Sequence, residues 1–81
     1  MKVVISIKDS ALDAFMQPWY VQTAAQAVRS FNQEVNNPES PMNRTPDDFD
    51  LYELGTFDEN TGQHHNHETP QRLARAKDMK E

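Results

Sequence analysis

Residues 2–8 have the sequence KVVISIK and residues 14–21 have the sequence AFMQPWYV, and these two runs decide the fold. In the first run, β-branched residues recur at a period of two, which predicts a strand. The second run is rich in aromatic and bulky residues and predicts another strand. Pro18 within it has no backbone N–H, which indicates an edge strand or a bulge. Since Asp9 and Ser10 favour a turn, the two runs predict an antiparallel hairpin.

Side-chain alternation assigns the residues of the second strand to two faces. It places Phe15, Trp19 and Val21 on one face, and it places Met16 and Tyr20 on the other. Both faces of the hairpin would therefore carry aromatic side chains.

An amphipathic helix is predicted after the hairpin. Thr23 can cap it through its hydroxyl group. Four apolar residues then recur at spacings that place them on one helical face: Ala24, Val28, Phe31 and Val35. The helix should end before Pro38, because proline disfavours helical geometry in the residue that precedes it. Residues 36–48 are polar and rich in proline, so they predict a loop with a short turn at 46–49.

Residues 51–57, LYELGTF, predict a third strand with bulky residues on both faces. Alternation places Leu51 and Phe57 on one face and Tyr52 and Leu54 on the other. A turn at residues 58–62 and a short fourth strand at about 63–67 should follow. The remaining residues contain helix formers at 71–80 but few apolar anchors.

These elements predict an α+β fold, in which one helix covers a small antiparallel sheet of three to four strands. Residues 1–63 would form the domain, and residues 64–81 would form a polar tail that is partly helical or disordered. One helix can cover only one face of the sheet, so aromatic surface remains for a partner. The small core and the absence of disulfides add to this argument, and we expect a homo-oligomer of at least two copies.

The composition excludes several classes of protein. The chain has 81 residues and no cysteine, which excludes a disulfide scaffold, a thiol nucleophile and a cysteine-based metal site. It has no signal-peptide pattern and no run of about 18 apolar residues, so we expect an intracellular protein without a membrane partner. No phosphate-binding loop or catalytic motif is present, so we expect neither an enzyme nor a cofactor.

The charge is uneven along the chain. The net charge of −5 arises from residues 47–60, which contain six acidic and no basic residues. A solvated acidic surface is the simplest interpretation of this segment, because its spacing does not match a calcium-binding loop.

Several runs together resemble a known family. They are ISIKD at 5–9, QPW at 17–19, VRSF at 28–31, NPESP at 37–41, PDDFDLYELGTFD at 46–58 and TG at 61–62. They resemble the small non-structural protein of gokushovirus-type microviruses, which are bacteriophages with single-stranded DNA, and the resemblance covers about residues 3–63. It implies a phage accessory protein in the host cytoplasm that assists genome replication, with DNA binding as its associated activity. It implies no catalytic residues.

The candidate nucleic-acid-binding residues combine positive charge with aromatic rings. They are Lys2, Lys8, Trp19, Tyr20 and Arg29. Rings exposed on a sheet can stack on the bases of a single strand, although large aromatic side chains in a small domain more often belong to the core. The alternative function is a protein-interaction module that binds a host or phage replication protein through a sheet face or edge.

A histidine cluster lies at residues 64–67. His65 and His67 would share one face of a strand at a span that can hold Zn²⁺ or Ni²⁺, and His64 precedes them. The alternative is a solvated polar segment, because the cluster lies beyond the apolar residues that build the core. We therefore expect the chain to fold without metal.

Overall fold

A computed structural model describes all residues, 1–81, and shows an antiparallel sheet with one long helix against it. The elements in chain order are β1 Lys2–Asp9, β2 Ala14–Phe15, β3 Trp19–Val21, α1 Ala24–Val35, α2 Pro41–Arg44, a 3-10 turn at Pro46–Asp48, β4 Phe49–Asp58, β5 Gln63–Arg75 and α3 Ala76–Met79. Strands β1 and β4 are central; β5 forms one edge, and β2 and β3 together form the other. The α+β prediction is confirmed. None of the helices has the length and apolarity that a membrane span requires.

The predicted hairpin is present, but its second arm is interrupted. Both β2 and β3 pair antiparallel with β1, and the register between them shifts by one residue. The interruption contains Pro18, as expected for a residue that cannot donate to the ladder. Ser6 Oγ donates a hydrogen bond of 2.7 Å to the carbonyl oxygen of Met16. This bond satisfies a backbone acceptor at the interruption.

Helix α1 has the bounds and the cap that the sequence predicts. Thr23 Oγ1 accepts a hydrogen bond from the Gln26 N–H at 3.3 Å, and Gln26 Oε1 accepts one from the Thr23 N–H at 3.4 Å. This reciprocal capping box satisfies two of the free N–H groups at the helix start. The helix buries Phe31 and Val35 against β1 and β4, and the core consists of Ile5, Ile7, Ala27, Phe31, Val35, Met42, Phe49, Leu51 and Ala76.

The predicted loop contains a further helical turn. Ser40 Oγ accepts a hydrogen bond from the Met42 N–H at 3.1 Å and caps α2. Proline at the first position suits a helix start, because its missing N–H would be unpaired there. Met42 is buried in the core, so this short turn closes one end of the domain.

The C-terminal residues differ most from the prediction. The segment of helix formers at 71–80 is helical only at Ala76–Met79, because β5 continues to Arg75. Residues assigned to a tail thus pair with β4, and Ala76 is fully buried. Asn36 Nδ2 donates to the Met79 carbonyl at 3.0 Å, which ties α3 to the end of α1. Strand pairing and burial outweigh the local helix propensity of this segment.

A bulge in β4 changes the predicted faces of that strand. The register of β4 against β1 shifts by one residue between Glu53 and Gly55, so Leu54 is the extra residue. The prediction that Leu51 and Phe57 share a face is therefore wrong: Leu51 lies in the core, whereas Phe57 pairs with Lys2 on the other side of the sheet.

The interruption between β2 and β3 has the same effect on the hairpin. Phe15 pairs with Lys8, and Tyr20 pairs with Val4. Lys8 and Val4 lie on one face of β1, so Phe15 and Tyr20 share that face. The prediction that Phe15 lies with Trp19 is wrong, because one extra residue reverses the alternation.

Candidate nucleic-acid interface on the open sheet face

One face of the sheet is covered by α1, and the opposite one, which we call the open face, is not. In β1, Val3, Ile5 and Ile7 pack on the core, so the residues between them point to the open face. Directly paired residues on neighbouring strands share a face, which gives the other members. The open face consists of Lys2, Val4, Ser6, Lys8, Phe15, Tyr20, Asp50, Tyr52, Gly55, Phe57, His64, Asn66, Arg72 and Arg75.

The first ring cluster on this face consists of Tyr20, Phe57 and His64. The ring centroids of Tyr20 and Phe57 are 5.4 Å apart, and those of Phe57 and His64 are 4.7 Å apart. The Tyr20 hydroxyl and His64 Nε2 are 2.8 Å apart, within hydrogen-bond distance. Strands β3, β4 and β5 each contribute one ring, so the cluster exists only when the whole sheet has formed. Tyr20 keeps 47% of its surface exposed.

The second ring cluster consists of Phe15 and Tyr52. Their rings meet edge to face, with centroids 5.3 Å apart and planes inclined at 74°. The Lys8 ammonium lies 5.7 Å from the centroid of the Phe15 ring, within the range of a cation–π contact. Phe15 is 42% exposed. The cluster thus presents an accessible ring with a cation beside it.

Positive charge collects on the open face. Four of the eight lysine and arginine residues lie there: Lys2, Lys8, Arg72 and Arg75. Two are near a carboxylate, since Lys8 Nζ is 3.5 Å from Asp13 and Arg72 is 3.8 Å from Asp50. Pairs of this kind at a surface are weak, so a polyanion can compete for these cations. Lys2 and Arg75 are in no ion pair.

The structure brings together three of the five residues singled out from the sequence. Lys2, Lys8 and Tyr20 lie on the open face. Trp19 pairs with Ile5 and packs against the core on the other side of the sheet. Arg29 is an exposed residue of α1, which covers that other side. The five residues lie on opposite sides of the sheet. A nucleic-acid strand bound to one side therefore cannot contact all of them.

Six residues of the ring clusters and their cations lie outside the set predicted from the sequence. They are Phe15, Tyr52, Phe57, His64, Arg72 and Arg75. The predicted third strand carries aromatic rings on both faces, and this pattern could have indicated that the strand contributes to the site. The faces themselves could not be assigned, because the bulge at Leu54 reverses the alternation after Glu53.

The three histidines have different neighbours and do not come together in one site. His64 belongs to the first ring cluster, His65 pairs with Thr56, and His67 Nε2 lies 2.5 Å from Glu53 Oε2. No group of three histidine, aspartate or glutamate side chains is arranged to hold a metal ion. The geometry therefore offers no ligand set for the metal site that the spacing allowed.

We expect a chelator to leave the fold unchanged. The circular dichroism spectrum and the melting temperature of the purified chain should be the same with and without excess EDTA, because its core is formed by apolar side chains. A fall of more than about 4 °C on chelation, equivalent to about 1 kcal/mol in a domain of this size, would contradict this expectation.

The fold and its open face define a class of small α+β proteins in which an uncovered antiparallel sheet presents aromatic and basic side chains. The chain belongs to the phage ORF5 protein family, whose model matches residues 2–79. It is therefore a phage protein, and this family membership indicates an accessory role. Neither the curated proteins nor the solved structures gave a match.

Proposed function

We propose that the chain is a non-enzymatic accessory protein of a gokushovirus-type microvirus, and that it binds single-stranded DNA on its open face. It would do so in the host cytoplasm, during replication of the single-stranded genome. The observation that carries the proposal is the coincidence of two ring clusters and four cations on one face of a chain whose net charge is −5.

The ring clusters supply the contacts to bases. Exposed aromatic rings on a sheet stack on bases with about 1–3 kcal/mol per base, whatever the base. Tyr20 and Phe15 are the exposed members of the two clusters. Bases in a duplex have their flat faces covered by neighbouring bases, so this mode of binding selects single strands.

The cations supply the contacts to phosphates. Each phosphate neutralised on a single strand adds about 0.7 to the slope of log affinity against log salt. Four cations therefore limit the slope to about −3. This moderate dependence means that stacking must provide much of the affinity.

A protein partner on the same face is the alternative. The exposed rings would suit a protein as well as a nucleic acid, and an acidic partner would match the four cations. Leu12 and Met16, which are exposed in the hairpin, are further apolar residues at the surface. Capture from infected cells with and without nuclease separates the two functions, because a protein complex survives the nuclease.

We expect the substitution Tyr20→Leu to weaken binding of a labelled oligo(dT) by about 5- to 150-fold, which corresponds to the loss of one stacked base. Lys2→Gln should weaken it less and should reduce the salt slope by about 0.7. Fluorescence anisotropy measures both effects, and an oligo(rU) of equal length tests the preference for DNA.

Arg29→Gln is the matched control, since it removes the same charge from the covered side of the sheet. It should change neither the affinity nor the slope. Equal losses in Lys2→Gln and Arg29→Gln would place binding elsewhere. Absence of binding by the unaltered chain at low salt would exclude direct DNA binding and leave the protein-interaction function.

A further inference from the structure

We infer that the open face binds a single strand at two separate base positions, one at each ring cluster, with the sugar–phosphate backbone crossing between them. This inference rests on the proposed function and deepens it. It follows from the spacing of the clusters and from the distribution of the cations.

The clusters are too far apart to hold the same base. Tyr52 of the second cluster and Phe57 of the first lie on β4, five positions apart. Strand residues advance by roughly 3.3 Å, and the bulge at Leu54 shortens the path, so the separation is roughly 15 Å. A base stacked at one cluster therefore leaves the other cluster free.

The pairing with β1 gives a similar spacing for the two exposed rings. Tyr20 pairs with Val4 and Phe15 pairs with Lys8, which are four positions apart on β1. At roughly 3.3 Å per residue, this separation is roughly 13 Å. An extended sugar–phosphate backbone can cross this distance from one ring cluster to the other.

The cations are divided unequally between the two positions. Lys2 pairs with Phe57 at the first cluster. At the second, Lys8 pairs with Phe15, Arg72 pairs with Tyr52, and Arg75 lies beside them opposite Asp50. Phosphates near the second cluster should therefore account for most of the salt dependence.

These positions set a minimum length for full binding. A stacked single strand advances about 3.4 Å per nucleotide, so roughly 15 Å corresponds to about four to five nucleotides, and to fewer in a stretched strand. Shorter oligonucleotides can occupy only one cluster at a time. Longer ones can engage both, and the second contact is then intramolecular and strengthens binding.

The test is a length series of labelled oligo(dT) from two to ten nucleotides, measured by anisotropy with the unaltered chain and three variants. The unaltered chain should gain at least tenfold in affinity between two and six nucleotides and little thereafter. Tyr20→Leu and Phe15→Leu each remove one exposed ring, and each should abolish this step while changing dinucleotide affinity by no more than about twofold. Arg29→Gln should keep the step.

Conservative variants distinguish the loss of a stacking ring from a loss of structure. Tyr20→Phe and Phe15→Tyr keep a ring at each position and should restore the step, with circular dichroism spectra that match the unaltered chain. A smooth increase with length, or a ring variant that weakens two and six nucleotides equally, would show a single position and overturn the inference while leaving DNA binding intact. Absence of binding at every length would overturn both.

Discussion

Replacement of Phe31 by alanine should lower the free energy of unfolding by about 3–5 kcal/mol. Phe31 is 2% exposed and lies in the same buried cluster as Ile5 and Leu51, so its removal leaves a cavity between α1 and the two central strands. A domain of about 80 residues has a total stability of only about 4–12 kcal/mol. The variant should therefore unfold at a much lower urea concentration, or be largely unfolded in buffer.

Urea denaturation followed by circular dichroism measures this loss. The matched control is Gln33→Ala, which shortens an exposed side chain on the same helix and should change stability by less than about 0.5 kcal/mol. A loss below about 1 kcal/mol for Phe31→Ala would mean that the inner face of α1 does not pack on the sheet as described.

Replacement of Gly55 by alanine should destabilise the chain by about 3 kcal/mol or more. A Cβ atom at this position would overlap the backbone oxygen of His65 and would lie 2.8 Å from the Cα of Asn66. Both contacts are with backbone, so β5 would have to move away from β4 as a unit. Overpacking of this kind costs about 1–3 kcal/mol when side chains can adjust, and more when they cannot.

The effect should be concentrated in β5. Hydrogen exchange at the β5 amides that pair with β4 should accelerate more than exchange in β1, because the clash lies between β4 and β5. Gly62→Asn is the control: Gly62 has φ +75 with open space around its Cβ position, and asparagine tolerates this conformation. If Gly55→Ala unfolds at the same urea concentration as Gly62→Asn, the close approach of β5 to Gly55 is wrong.

The sequence predicted the elements whose patterns are local. The alternation in KVVISIK, the capping box around Thr23 and the apolar spacing through Phe31 each involve residues a few positions apart. Such patterns reflect side-chain periodicity and short-range hydrogen bonds, which do not depend on the rest of the chain. The hairpin, α1 and the third strand could be predicted for this reason.

The C-terminal residues could not be predicted in this way. Residues 71–75 are good helix formers, and they form a strand only because β4 presents a free edge for pairing. Leu73 and Ala74 both pack on the core, at the point where the register of β5 against β4 shifts. A bulge of this kind breaks the period-two pattern that would otherwise have indicated a strand.

The sequence by itself determined the α+β class, the core face of α1 and the presence of more aromatic residues than one helix can cover. Only the tertiary structure decided which rings and cations share the open face. One extra residue between Phe15 and Trp19 and another at Leu54 reverse the side-chain alternation, and they bring Phe15 and Phe57 to the side of Tyr20. The position of a bulge is set by pairing across strands distant in sequence, so alternation within one strand cannot reveal it.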